Sequence, residues 1–421
     1  MAHVISSVCQ CRRWPATPAT RLHDESEDLP LIDCACPIDG TPPHMNPTAH
    51  VSSPSNPLST WSWAAPAVAV VILVVSLLLP SAWWVWALCF PPLIGAVLAA
   101  VHHAEVIAHR VGEPFGTLVL AVAITVIEVA LIVSVMLGGD PEKASLPRDT
   151  IFATIMIIAN GVIGICLLVG GMRHREQIFR TDGVHAAFAV LVALAGLALV
   201  LPTFTTSTAG QTYSPSQLTF VAIASLSLWL VFIFGQTVRH RDYFLPAPAM
   251  SAVITTDELH HDDTHAPQPT LMQVWLSLGL LVVSLVAVVG LAKSLSPGIE
   301  AAVTAAGVPK SVIGIAIALL VLLPETLAAV RAAQADRLQT SLNLALGSAL
   351  ASIGLTIPVV AVASVILKLP LVLGLDAKEL VILILTFVIG SLTFASGRTN
   401  IMLGAVHLVM FAAFLFLALV P

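Results

Sequence analysis

Apolar residues run through this chain in long unbroken blocks separated by short polar breaks, not in the alternating segments that mark a half-buried strand. Blocks at 63–79, 82–101, 115–137, 151–169, 184–201, 218–234, 274–295, 311–330, 342–367, 380–394 and 401–419 predict eleven helical spans. A hydrocarbon core takes about 20 helical residues to cross, which these blocks approach or reach. Residues 1–60 are polar and rich in Pro, Ser and Asp, and read as a disordered tail. A second long polar stretch, 239–270, contains the acidic, His-rich run Asp257-Glu258-Leu259-His260-His261-Asp262-Asp263-Thr264-His265. It separates residues 61–238, with six spans, from residues 271–421, with five. Setting the first span apart leaves five in each half, and an odd number forces the second half to insert upside down relative to the first. The pattern therefore predicts an all-α polytopic membrane protein with one extra helix and two inverted five-helix repeats. Such architectures place the substrate site near the midplane, where equivalent helices meet.

Composition agrees with this reading. Apolar residues make up 57% of the 421 positions and charged residues 10%, with mean hydropathy +0.94, whereas soluble domains are about 25% charged. The formal net charge is −6 and no basic cluster is interleaved with aromatics, which argues against a nucleic-acid partner. The expected partners are the lipid bilayer and small ions; the sequence leaves a homo-oligomer open. Cys9, Cys11, Cys34 and Cys36 form two C-x-C pairs in the tail. Zinc ligand pairs more often leave two or more residues between cysteines, so an unstructured extension is the better reading than a metal site. No signal peptide with a cleavage site precedes the first span, so the tail is expected to stay on. Twelve Lys and Arg residues fall on the side of the N-terminus and six on the other, nine against six without the tail arginines. The positive-inside rule then puts the N-terminus and the 239–270 loop in the cytoplasm and Pro421 outside.

Charge placement brings in chemistry. Of the 24 acidic residues, only Glu128 and Glu325 fall in the middle of apolar spans. They occupy the second helix of each predicted repeat, so inverted symmetry would bring them together. An ionised side chain at mid-membrane costs roughly 2.5–3.5 kcal/mol on insertion scales, which makes an intramembrane carboxylate a functional candidate. One alone could be a neutral structural acid; a symmetric pair is harder to explain that way. Each should be either protonated or neutralised by a cation, and competition between the two is what an exchanger's site requires. Carboxylates are hard ligands suited to calcium, which takes about six to eight oxygens. Pro324 removes a backbone donor just before Glu325 and would free a carbonyl one turn upstream, although prolines in spans are also plain kinks. Asn160 and Ser348, on the following helices beside Gly161 and Gly347, are secondary candidates for the site, while the glycines read as packing positions. Thr125 and Thr326 are weaker still, since a hydroxyl can bond back to its own helix. The His/Asp run reads as a solvated loop before a pH or calcium sensor, and His102, His103 and His109 as interface residues. Asn400 could cap the last helix.

Gly112-Glu113-Pro114-Phe115-Gly116 running into Ile127-Glu128, Leu323-Pro324-Glu325, Ala345-Leu346-Gly347-Ser348 and Ser396-Gly397-Arg398-Thr399-Asn400 stand in this order. Together they resemble the ChaA-type bacterial calcium/proton antiporters of the calcium/cation antiporter superfamily, over most of the chain from about Trp61 to Pro421. The resemblance implies a five-plus-five inverted core after one extra helix, alternating access, and cation ligation by Glu128 and Glu325. It also implies sodium or potassium as alternative cargo and a bacterial inner-membrane location. The Gly-Asn-Ala-x-Glu pattern of the vacuolar branch is missing at both glutamates, so side-chain ligands of that branch do not carry over. Neither repeat has the mid-span aspartate expected of a sodium/calcium exchanger, which favours the proton as counter-ion.

The resulting expectation is a secondary transporter that moves calcium, or else sodium or potassium, against protons, with no cofactor and no enzymatic step. A cation channel or a membrane sensor is the rival. A channel favours a continuous polar file, whereas the polar groups here gather at mid-span. No G-x-x-x-x-G-K-S/T loop is present for nucleotide-driven transport.

Overall fold

The protein is described by a computed structural model over residues 59–79, 83–112, 115–136, 144–245, 269–305, 307, 309, 311–368 and 371–420. The cysteine pairs of the tail and the acidic run 257–265 lie outside the described residues.

Helices account for nearly all of it. The first half comprises α1 (Thr60–Leu78), α2 (Trp83–Val111), α3 (Phe115–Met136), α4 (Leu146–Met156), α5 (Ile163–His174), α6 (Thr181–Ala195), α7 (Leu201–Phe204) and α8 (Pro215–Phe234). The second comprises α9 (Leu271–Ala305), α10 (Ser311–Val321), α11 (Leu323–Gln334), α12 (Leu338–Leu367), α13 (Ala377–Ala395) and α14 (Ile401–Leu419). A π-helical turn at Ile157–Val162 joins α4 to α5 in one rod, and another at Gly196–Val200 joins α6 to α7. Two-residue strands β1 (Gln177–Ile178) and β2 (Arg398–Thr399) pair antiparallel, with Gln177 opposite Thr399.

Among the described residues, nine helices are long and apolar enough to cross a membrane. The other two expected spans are α3 and the pair α10–α11. The latter corrects the single helix expected over 311–330: it breaks at Leu322. Pro324 sits in the first turn of α11 and has no amide to continue the ladder, so two short helices meet end to end. The block expected over 82–101 extends to Val111, because the residues after Val101 stay helical until Gly112 turns to φ +77° and ends α2.

The two halves pack with the regularity expected of an inverted repeat. The leading helices α2 and α9 lie against each other. The third helix of each half lies against the fifth of the other, α5 against α14 and α12 against α8. Glycines allow these approaches: a Cβ on Gly404 would stand 2.5 Å from the Leu168 amide nitrogen, and one on Gly354 would stand 2.6 Å from the Trp229 Cβ. Asn400 caps α14 by accepting from the amides of Met402 and Leu403.

Buried side chains form two separate clusters. One joins α1, α2, α9 and the inward face of α3, through Ala96, Ala100, Ile127, Ala287 and Leu291. The other holds α4 to α8 with α10 to α14. Val321 belongs to the first and Leu322 to the second, as Ile127 and Ile132 of α3 do. Helix α3, which carries Glu128, therefore lies on the seam between the two clusters, as does the break at Val321–Leu322 just before α11, while α11 itself contributes Ala329 and Ala333 to the second.

Candidate cation-binding site

Glu128 lies on α3 and is 2% exposed. Hydroxyls from both halves hold its carboxylate: Thr154 of α4 donates to Oε1 at 3.3 Å and Ser352 of α12 to Oε2 at 2.6 Å. Glu325 lies in the first turn of α11, 7% exposed. Neither of its carboxylate oxygens has a hydrogen-bond partner among the described residues. It lines a cavity of about 400 Å³ together with Thr125, Gly347, Ser348 and Ala351. The cavity runs to Gln236, Arg241 and Arg337, at the end of the molecule where α8 and α11 finish.

The secondary candidates divide. Ser348 shares the cavity with Glu325. Asn160, in the π-turn, belongs to another buried network: its amide donates to Thr386 Oγ1 at 2.8 Å, and its oxygen lies 3.3 Å from His407 Nδ1. His407 Nε2 in turn meets Thr393 Oγ1 at 3.0 Å. This places Asn160 as a tie between the α4–α5 rod, α13 and α14, not among the groups bonded to Glu128. Thr125 and Thr326 bond back to Ala121 and Leu322 of their own helices. His103, expected at the membrane interface, is buried within the protein, with Nε2 2.9 Å from the Ser62 carbonyl, because α1 covers that end of α2.

Sequence reasoning missed Ser352 and Thr154. Ser352 had a faint signal, four residues after Ser348 and so on the same helix face. Thr154 had none, since a lone mid-span hydroxyl most often satisfies its own helix.

At the opposite end the connections are stitched together. Arg148 pairs with Asp149 at 2.8 Å and donates to the Gly374 carbonyl at 2.9 Å. The amide of Val372 bonds Ala144 and that of Leu375 bonds Leu199, while Gln211 donates to Asp376 at 3.2 Å. One end thus carries the cavity that reaches Glu325, and at the other the described connections are bonded to one another.

The sodium/calcium exchanger protein family matches residues 81–238 and 276–420, which takes in both glutamates and both sides of the seam. The chain belongs to this family. Its members are multi-pass membrane transporters, and the nine apolar helices fit that description. Within the family, y4hA of Sinorhizobium fredii (strain NBRC 101917 / NGR234) is 47% identical over 86% of this chain and 96% of its own length. The sodium-potassium/proton antiporter ChaA of Escherichia coli (strain K12) is 33% identical over 77% and 85%. The Ca(2+)/H(+) antiporter of Aphanothece halophytica is 26% identical over 75% and 86%. The solved structure of native YfkE superposes with a TM-score of 0.62 at 16% identity, covering 86% of this chain and all of that one, and shares the fold. Cation/proton antiport is the activity that the Escherichia coli and Aphanothece relatives have in common.

Proposed function

We propose that this protein exports calcium from the cytoplasm in exchange for protons by alternating access, with Glu128 and Glu325 as the groups for which cation and proton compete. The observation that carries the reading is the state of Glu325, whose two oxygens are buried without partners among the described residues, at the end of a cavity open to one face. An ionised carboxylate in that position costs several kcal/mol, so it holds a proton or a cation. Ser348 supplies a further oxygen on the same cavity and Glu128 a second carboxylate from the other repeat, and two carboxylates neutralise one divalent ion. Asn160 acts at a distance, keeping the α4–α5 rod in place.

In the proposed cycle the cavity faces the cytoplasm, the glutamates give up protons and take the cation, and the α1–α2–α9 cluster moves against the rest along the seam. Protons then displace the cation on the other side. The protein resides in the bacterial inner membrane with its N-terminus and the 239–270 connection in the cytoplasm, which agrees with the arginine count and with the bacterial origin of the relatives. A second reading takes sodium or potassium as cargo. It is favoured by the name of the Escherichia coli relative, which at 33% identity is nearer than the calcium relative at 26%.

The test is proton movement in everted membrane vesicles carrying a pH gradient, with calcium, sodium or potassium added in turn. Wild-type protein is expected to dissipate the gradient with at least one cation, while Glu128→Gln and Glu325→Gln, inserted at equal levels, do not. Normal exchange by both variants would sink the carboxylate mechanism.

A further inference from the structure

The mouth of the cavity that reaches Glu325 is lined by two arginines, while Asp242 and Asp336, next to them in the chain, are not among its lining residues. Arg241 and Arg337 both line it, and no acidic side chain other than Glu325 does so among the described residues. Neither guanidinium takes part in an ion pair among the described residues. The two arginines sit on turns tied to each other. Arg241 opens a short 3-10 turn, whose end at Phe244 accepts from Asn343 of α12 at 2.6 Å, and Arg337 directly precedes α12. The left-handed residue Asp336, at φ +58°, fixes the chain just before Arg337, and Gln177 holds the Asp336 carboxylate at 2.9 Å. The walls between mouth and floor are largely apolar, with Trp229, Phe232, Ile233 and Leu344. Low-dielectric walls concentrate the field of charges at an opening.

We infer that Arg241 and Arg337 form a valence filter on the cation path, a fixed positive potential that disfavours divalent cations more than monovalent ones at the mouth leading to Glu325. The inference rests on the reading of Glu325 as the cargo carboxylate. The sign and form follow from electrostatics. A potential lowers the local concentration of a cation by a factor that is raised to the power of the ion's charge. A unit charge about 10 Å away through water gives about two-fold for a monovalent ion and about four-fold for a divalent one at low salt. Two such charges multiply to about four-fold and about sixteen-fold, a relative penalty of about four-fold on the divalent ion. Arginine stays protonated throughout the working pH range, so the filter does not switch off with the pH gradient that drives exchange. It sets preference between cargo ions, while Glu128 and Glu325 set affinity.

Two measurements test this. The first is the apparent KM for calcium and for potassium or sodium at the cavity face, in everted vesicles at about 20 mM and about 500 mM ionic strength. Replacing both residues, Arg241→Gln with Arg337→Gln, is expected to lower the calcium KM by the square of the factor for the monovalent ion, moving the ratio about four-fold towards calcium at low salt. High salt should erase most of the difference, and Arg241→Lys with Arg337→Lys should keep the wild-type ratio. Equal factors for both ions, or a Lys pair that behaves like the Gln pair, would overturn the filter. The second measurement needs no transport: the rates at which a cationic and an anionic methanethiosulfonate modify Ser348→Cys in the full chain, with the unsubstituted chain as background. The anionic reagent is expected to be favoured, and the Gln pair to reduce that preference several-fold. An unchanged ratio overturns the proposal. If wild-type vesicles exchange no cation at all, the antiport reading falls by itself, and the thiol ratio still decides the mouth potential.

Discussion

Glu128 and Glu325 are chemically the same residue in different settings. Glu128 is held by two hydroxyls, one from each half of the protein, while Glu325 faces a cavity with no bonding partner among the described residues. The Ser352 contact at 2.6 Å is the shorter of the two hydroxyl contacts. A hydrogen bond to a charged group is worth about 1.5–3 kcal/mol, so Ser352→Ala should raise the cation KM about ten-fold or more. Thr154→Val, which removes a contact of 3.3 Å, should cost about three-fold, at the low end for a hydrogen bond. Vesicle assays at graded cation concentration would measure both; equal effects, or none, would show that the hydroxyls do not hold the binding carboxylate. The candidacy of Glu128 and Glu325 is legible in the sequence alone, because an acid in an apolar span has no cheap explanation. That of Ser352 is not, because its value depends on which helix faces it.

At the scale of elements, the break between α10 and α11 decides where Glu325 stands. Proline at 324 stops the ladder, and the far end of α11 is fastened separately. Gln177 donates to the Ala333 carbonyl at 3.0 Å and His174 Nε2 meets the Gln334 carbonyl at 2.9 Å. The short helix that carries the carboxylate is thus anchored at its C-terminal end and free of α10 at its N-terminal end. Pro324→Ala restores the missing donor and removes a penalty of about 3 kcal/mol against a continuous helix. The variant should fold at least as well as the wild type yet lose most exchange, since closing the break rotates Glu325 out of place. Thermal unfolding and vesicle exchange, measured together, check this; full activity would mean that the break has no functional role. The sequence announces a proline at this point but not the fastening at the other end, which depends on strand β1 arriving from the first half of the chain.

Across the whole molecule, one end carries the cavity and the other is bonded across the two repeats. Arg148 binds Asp149 beside it and the Gly374 carbonyl from the other repeat. Removing one partner of a buried pair leaves the other uncompensated, at a cost of about 3–5 kcal/mol. Arg148→Gln should therefore lower the unfolding temperature of the detergent-solubilised protein clearly, and Arg148→Gln with Asp149→Asn should recover a large part of the loss. A double variant no better than the single one would assign the cost to the Gly374 bond. The seam between the two buried clusters bears on the same point: α3, which carries Glu128, contributes Ile127 to one cluster and Ile132 to the other, so relative motion of the clusters would change what surrounds Glu128.

Hydropathy by itself determined the class of protein, the presence and order of the spans and the two acidic residues within them, although the helices expected over 82–101 and 274–295 run on to Val111 and Ala305. These are properties of single residues and of local runs, and the membrane enforces them span by span. Only the tertiary structure decided that Asn160 ties helices together through Thr386 and His407, that Ser352 and Thr154 hold Glu128, that the far end of α11 is fastened to Gln177 and His174, and that two arginines line the cavity that reaches Glu325. Each of these depends on contacts between residues distant in sequence, and the pairing of helix faces that makes those contacts is set by side-chain packing across the two repeats.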